Sequence, residues 1–564
     1  MVKAVGDRFL TAIEGSDQSV VNSECCEVPM TIRVARRLAQ AGIVLIMAAA
    51  TCAPAAGLVP GDYYWTKPHT VATRGSVTIG GHVLHFSADA GTIVLRNRQG
   101  QPTGEMFYVA YFKQSRRSAD RPISFLFNGG PGSSTAPLLI GAFGPVRVLT
   151  QSHALTPPAP YSMVANQYSL LDVSDLVFVD AMGTGFSRII GKDEGGIGSA
   201  KMFYGVDPDA KAFEQFIVRF LAKYDRWNSP KYLIGESYGT TRSAAVAYLL
   251  EQNDAIDLNG IVLLSTVLNF DLGVVDQPAE NPGVNLPYAL ALPSYAAVAW
   301  YHRMLSNRPA RLRPLLEQVQ SWAMGSYLRA LDAGSRLSRQ EETRIATRMS
   351  QYTGLSMSYV LRADLRVSGP EFEHQLLLSR GESAGRLDGR FSGPTFDKLA
   401  EVPSYDPEIS AIGPAYVSAT LQYLMNTLRF GRGHRYRFLP AAVGNDWNYL
   451  HTPPGQSAPA FTATNVMPDL AAAMSLDPDL KVMVNAGFFD LATPYFAAVY
   501  QMRQLPLRRA LERNIEFRYY HAGHMIYVAP HALKRLHANI VQFVHSTDGA
   551  ARADAISGSG VIDR

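Results

Sequence analysis

A serine hydroxyl becomes a nucleophile only when a base takes its proton, and one serine of this 564-residue chain stands where such chemistry is arranged. Ser237 lies in Gly235-Glu236-Ser237-Tyr238-Gly239, after the apolar run Tyr232-Leu233-Ile234 and at the head of a helical stretch from Tyr238 to Leu250. A strand that turns this sharply into a helix needs small residues on both sides of the serine, and the turn pushes the hydroxyl clear of the backbone. The pattern is short, and an ordinary glycine-bounded strand-to-helix turn has the same spelling. An elbow serine also needs an acid and a histidine downstream, in that order, and backbone N–H donors from a separate loop. Lys481 to Ala486 reads as a buried strand followed by Gly487-Phe488-Phe489-Asp490, and Ile515 to Tyr520 as another followed by His521-Ala522-Gly523-His524. Active groups of open parallel sheets sit beyond the carboxyl ends of strands, which suits Asp490 and both histidines. Residue chemistry does not choose between His521 and His524. The glycine-rich segment from Asn128 to Ser134 offers N–H donors; it lacks the Gly-Lys-Ser/Thr that completes a phosphate loop, so nucleotide binding is not expected.

Those groups need a sheet to carry them. Ser76 to Ile79, His82 to Ala88, Gly91 to Arg96 and Glu105 to Phe112 alternate or run apolar between Gly-rich turns, which predicts an antiparallel entry. Ile123 to Phe127, Leu176 to Val179, Lys231 to Ile234 and Ile261 to Leu264 read as buried central strands. About 250 residues separate Ser237 from Asp490, far more than a strand-helix pair needs, so an insertion is expected. Helical patterns over Tyr295 to Leu305, Arg311 to Leu331 and Tyr416 to Leu428 place it. The expected fold class is α/β, with a mostly parallel central sheet, antiparallel N-terminal strands and an inserted mainly helical cap. The domain reading is core over 61–286, cap over 287–433, core again over 434–545, and a disordered tail over 546–564 that contains Ser557-Gly558-Ser559-Gly560. Tyr, Phe, Leu and Met abound in the cap, and a packed interior explains them as well as a substrate pocket does.

Several segments in order carry a family resemblance. Phe127-Asn128-Gly129-Gly130-Pro131-Gly132-Ser133-Ser134, the elbow, Asp490 after Gly487, and Gly523-His524-Met525 together resemble the serine carboxypeptidase family. Val179-Asp180 with Gly183-Thr184-Gly185-Phe186-Ser187 matches the same family, and the resemblance runs from about Gly91 to Val544. Phe107-Tyr108-Val109-Ala110-Tyr111 and Gly385-Arg386-Leu387-Asp388-Gly389-Arg390-Phe391 look more like its bacterial branch. The resemblance implies an alpha/beta-hydrolase fold and hydrolysis of the C-terminal peptide bond through an acyl-enzyme on Ser237. It makes His524 the base, His521 a neighbour and Asp490 the orienting acid. It also implies the N–H groups of Gly130 and Tyr238 as oxyanion hole, and Asn128, the Gly129 N–H and Glu236 as binders of the substrate carboxylate. A second glutamate that the family places before a Gly-Pro pair is Ala142 here, in Gly141-Ala142-Phe143-Gly144-Pro145. A carboxyl group donates to another carboxylate only while protonated, and paired acids raise one another's pKa. Glu236 alone is therefore expected to give activity favoured at acidic pH and weaker substrate binding; the plainer reading makes it a buried acid that supports the elbow. Other acyl-transfer activities remain open on this scaffold: an esterase, an acyltransferase, or an aminopeptidase related to proline iminopeptidases. Asn128 and Glu236 favour carboxylate recognition, and intact Ser237, Asp490 and His524 argue against a mere binding protein.

Composition bounds the rest. A formal charge of +4 is small for this length and no Lys/Arg block appears, so the expected partners are peptide or protein C-termini and not nucleic acid. Arg33, Arg36 and Arg37 precede the apolar run from Ala41 to Ala50 and then Ala53-Pro54-Ala55. Residues 1–56 thus read as a leader, with a signal peptide beginning at Met30. Export to the periplasm or the exterior is expected, with no stable membrane association once the leader is removed. Cys25, Cys26 and Cys52 all fall in that leader, so neither structural disulfides nor thiol catalysis is expected in the mature enzyme. His521 and His524 have no His-Glu-x-x-His pattern or cysteine to complete a ligand set, and no metal or other cofactor is expected.

Overall fold

The computed structural model describes residues 69–114, 120–273 and 282–549. The leader read over 1–56, its three cysteines and the tail from residue 550 onward lie outside the described residues.

Ten strands form the main sheet: β1 (Thr70–Ile79), β2 (His82–Arg96), β3 (Pro102–Lys113), β4 (Ile123–Phe127), β5 (Asp175–Val179), β6 (Arg188–Ile189), β7 (Lys231–Glu236), β8 (Gly260–Leu264), β9 (Lys481–Gly487) and β10 (Ile515–Tyr520). Their order is β1-β2-β3-β5-β4-β7-β8-β9-β10, with β6 paired to β3. The β1-β2, β2-β3 and β3-β5 pairs are antiparallel, and every pair from β5 to β10 is parallel. This is the α/β-hydrolase arrangement expected from the sequence. The β1-β2 hairpin closes through Gly80 and Gly81 at φ +57° and +84°, values that favour glycine. Two strands were expected over His82 to Arg96, but the structure has one. Gly91, read as a break, is instead a point of close approach: a Cβ there would lie 2.9 Å from the His69 carbonyl oxygen.

Strands β4, β5, β7 and β8 are buried at every residue, which is why apolar residues such as Tyr232-Leu233-Ile234 and Leu176-Val177-Phe178-Val179 run together in them instead of alternating with exposed polar ones. Successive side chains still serve opposite faces. Leu126 and Ile234 join one core with the final helix, α7 (Pro530–Thr547). Phe125, Phe127 and Leu233 join the other with α1 (Val206–Tyr224) and α2 (Tyr238–Asp254). Helix α7 continues past the expected tail boundary at 546, where the Thr547 hydroxyl meets that of Tyr232 at 2.8 Å.

The stretch read as one cap, 287–433, divides between two cores. Helix α3 (Leu286–Tyr301) and the helices up to Ala384 share a third core with Ala486 to Val499, the segment that follows β9 and includes the start of α6 (Tyr495–Arg503). Helix α4 (Pro407–Gln422) and the chain to Phe430 pack on the α7 face of the sheet. Helix α5 (Met467–Leu476) lies with α1 and α2 and leads into β9.

Candidate active site

Parallel β7, β8, β9 and β10 are adjacent, so residues just past their carboxyl ends gather along one sheet edge. The register sets Glu236 opposite Leu264, Leu264 opposite Asn485, and Gly487 opposite Tyr520. Ser237, Ser265, Asp490 and His524 all follow within a few residues.

Ser237 turns from β7 into α2 at φ 60°, ψ −129°, a backbone state that costs a non-glycine residue about 1–3 kcal/mol and persists only where the surroundings fix it. The surroundings do so. A Cβ on Gly235 would lie 2.2 Å from the Gly239 carbonyl oxygen, and one on Gly239 would lie 2.8 Å from that of Phe127. The Ser237 N–H donates to the Leu264 carbonyl at 2.9 Å, and the Thr240 hydroxyl donates to the Ser237 carbonyl at 2.7 Å. Ser237 is partly exposed while its neighbours on both sides are buried.

The His524 Nδ1 lies 2.8 Å from Asp490 Oδ2. An ionised carboxylate can only accept, so the pair places the proton on Nδ1 and leaves Nε2 free as a base. Burial opposes the imidazolium, but the charge and hydrogen bond of Asp490, with Glu236 nearby, outweigh it and raise the His524 pKa; Arg386 pulls the other way. The Ser265 hydroxyl donates to the His524 carbonyl at 2.7 Å and so ties the histidine loop to the residue after β8, next to the elbow. His521 is exposed, with its ring against Phe488 and Phe489, and the partner of Asp490 is His524.

Thr493 was not singled out in the sequence. Its N–H donates to Asp490 Oδ1 at 2.8 Å, and its hydroxyl donates to Oδ2 at 2.7 Å while lying 3.1 Å from His524 Nδ1. Ala492 N–H adds a further bond to Oδ1 at 2.9 Å. Thr493→Val keeps the shape and removes one hydrogen bond to a charged group, about 1.5 kcal/mol. The expected outcome is a kcat about tenfold lower with KM unchanged, read by steady-state kinetics at the optimum pH.

The Asn-Gly-Gly loop rests directly on the elbow. A Cβ on Gly129 would lie 2.4 Å from the Tyr238 nitrogen, so only glycine permits the approach. Gly130 is exposed at φ +104°, and Tyr238 opens α2, where the first helical N–H groups lack partners within the helix. Asn128 donates its side-chain amide to Glu236 Oε1 at 2.8 Å and accepts from the Leu138 N–H at 3.2 Å. Its carbonyl accepts from Arg242 Nη1 at 2.7 Å. Arg242, another residue not foreseen, is itself fully buried, paired with Asp209 at 2.7 Å and stacked on Phe213. It anchors the loop from behind.

Glu236 is 4% exposed, and its Oε2 has no hydrogen-bond partner among the described residues. Burial pushes its carboxyl up to about 7, against the opposing pull of His524, the Tyr527 hydroxyl and Asn128, with Asp490 adding to the rise. The same couplings put Glu236, adjacent to Ser237, within electrostatic reach of both His524 and Asp490. Ala142 is fully buried in the helical turn Leu138–Phe143, and Gly141 beside it backs onto the Tyr416 hydroxyl of α4. Ala142 itself supplies no carboxylate. Among the described residues no group of three or more His, Cys, Asp or Glu side chains is placed to hold a metal ion.

Residues 82–308 match the serine carboxypeptidase family. The pheromone-processing carboxypeptidase KEX1 of Saccharomyces cerevisiae is 30% identical over 161 residues, 28% of this chain and 20% of that protein. A carboxypeptidase Y homolog of Arthroderma benhamiae is 26% identical over 196 residues, 34% of this chain and 36% of that protein. The match thus spans about a fifth to a third of these curated relatives, all of which are fungal. The crystal structure of Kex1(delta)p, a prohormone-processing carboxypeptidase from Saccharomyces cerevisiae, superposes with a TM-score of 0.50 at 16% identity, covering 82% of this chain and 91% of that one. That likeness is one of fold.

Proposed function

We propose that the chain belongs to the serine carboxypeptidase family, which its residues 82–308 match, and that it hydrolyses the C-terminal bond of peptides through an acyl-enzyme on Ser237. One observation carries the reading: the Asp490–His524 pair stands at the same sheet edge as the strained Ser237, beside a buried Asn128–Glu236 pair suited to a carboxylate. In this mechanism His524 Nε2 takes the Ser237 proton as Oγ bonds to the scissile carbonyl carbon. The new oxyanion is met by the N–H groups of Gly130 and Tyr238, where loss of one such donor removes about 3–4 kcal/mol of transition-state stabilisation. Asp490 stabilises the imidazolium, which then protonates the departing amine. Water repeats the sequence on the ester and frees Ser237. Asn128, the Gly129 N–H and protonated Glu236 hold the terminal carboxylate of the substrate, so peptide or protein C-termini are the partners.

A loss of activity above about pH 7 belongs to the same reading, because Glu236 donates to a carboxylate only below its pKa of about 7, while the raised pKa of His524 limits the gain on further acidification. So does export, which rests on the leader pattern around Arg33 to Ala55. A place in the bacterial branch rests on Phe107 to Tyr111 and Gly385 to Phe391. The test is release of the last residue from an N-blocked peptide. We expect release from the free acid and none from the C-terminal amide; equal hydrolysis of both, or cleavage only of peptides with a free N-terminus, refutes the exopeptidase reading.

A further inference from the structure

The inserted segment reaches into the catalytic edge at one loop. Within 386–390, each residue bonds to the Asp490 turn or to the His524 turn. The Arg386 carbonyl accepts from the Leu491 N–H at 3.1 Å, and the Leu387 carbonyl accepts from the His524 N–H at 2.7 Å. Asp388 Oδ2 accepts from the Gly523 N–H at 3.1 Å. The Gly389 N–H donates to the Phe489 carbonyl at 2.9 Å, and Arg390 Nη1 donates to the His521 carbonyl at 3.0 Å. Asp388 also holds Arg390, with Nε to Oδ1 at 2.9 Å, so one carboxylate joins both contacts to the histidine turn.

The fit is tight and anchored on its far side. A Cβ on Gly523 would lie 2.4 Å from Asp388 Cβ, so the residue before His524 has to be glycine for this loop to sit where it does. Asp406, at the start of α4, accepts from the Leu387 N–H at 2.9 Å, and the Gly389 carbonyl lies 2.6 Å from His302 Nε2. Asp388 is 1% exposed. Its side-chain hydrogen bonds go to Arg390 and Gly523, not to Ser237 or the imidazole of His524. Its effect on chemistry has to pass through the backbone of residues 521–524.

We infer that Asp388 is a positioning residue: through Gly523 and Arg390 it fixes the backbone of the His521–His524 turn, and thereby where the His524 imidazole stands relative to Ser237. This rests on the reading of Ser237, Asp490 and His524 as one catalytic unit. A displacement of about 1 Å in such a unit lowers a rate by up to about a hundredfold. Both histidine and acid turns are pinned to the same five residues, so loosening Asp388 acts on the chemical step and leaves substrate binding at Asn128 and Glu236 in place.

The experiment uses the full chain and a fluorophosphonate, with which Ser237 Oγ bonds to phosphorus, fluoride leaves and His524 takes the proton. The rate constant at saturating probe is read on the fraction that labels, so partial unfolding lowers the amplitude and not the rate. Asp388→Ala is expected to slow it about tenfold or more, with the half-saturating probe concentration unchanged. Asp388→Asn keeps an acceptor for the Gly523 N–H and loses the charge that holds Arg390, so a loss of about threefold is expected. That graded order supports the inference. Rate constants equal to the unsubstituted chain, or a change confined to amplitude or half-saturation, overturn it. If the alanine variant fails to fold, the asparagine variant decides by the same criteria. An unsubstituted chain that labels yet releases no C-terminal residue sinks the carboxypeptidase reading alone; one that never labels sinks both.

Discussion

Ser237→Ala is expected to lower kcat on an N-blocked peptide by about ten-thousandfold or more, because no other group described at the site can form the acyl intermediate. The Asp490–His524 pair and the Asn128–Glu236 pair are untouched by the change, so KM should stay within about threefold. Amino-acid release measured over hours gives the answer, and retention of more than about one percent of the rate removes Ser237 from its role. A companion measurement separates chemistry from strain. Alanine inherits the φ of 60° that Ser237 adopts, whereas glycine tolerates it. Ser237→Gly should therefore resist urea better than Ser237→Ala by about 1 kcal/mol, less whatever glycine adds to the entropy of the unfolded chain.

The second large effect is a pH profile. Glu236, with a carboxyl at about 7, is protonated below that value and can donate to the terminal carboxylate of a substrate. As pH rises through it, the ionised form repels the same carboxylate. KM climbs, and kcat/KM falls about tenfold per further unit. His524 acts oppositely: its pKa is raised, so acid keeps the base charged and kcat falls on that side. The two groups lie within electrostatic reach, so the limbs of the resulting bell belong to the pair and not to either residue. Glu236→Gln carries an amide donor at every pH. It should abolish the alkaline limb of kcat/KM, so that at about pH 8 the variant gains about tenfold relative to the unsubstituted chain when each is scaled to its own value near pH 6. An alkaline limb that survives the substitution unchanged would show that the proton belongs elsewhere.

The fold could be read far into the sequence because its central strands are buried on both faces and therefore carry short, unbroken apolar runs such as Tyr232 to Ile234. The elbow was legible for a steric reason, since Gly235 and Gly239 have no room for a side chain. Asp490 and the pair His521 and His524 could be placed because each follows a recognisable strand, and only the family resemblance chose His524 between the two. What stayed hidden has no local pattern. Thr493 is one threonine among many until its hydroxyl is seen on Asp490, and Arg242 sits in an otherwise bland helix. The bonds of Asp388 to Gly523 span 135 positions, a separation at which no periodicity in the chain reports contact. Helix α4 read as part of the cap by its helical spacing, yet spacing says only that one face is apolar and not which surface covers it.

The third core bears on how this scaffold can be altered. Ala486 to Val499, with Asp490 among them, bury their apolar side chains against the inserted helices up to Ala384. Exchanging that whole insertion for one from a different hydrolase strips the acid of its bedding at the same stroke. Single replacements within the insertion leave that bedding in place, whereas transplantation of the segment as a module should yield inactive chimeras.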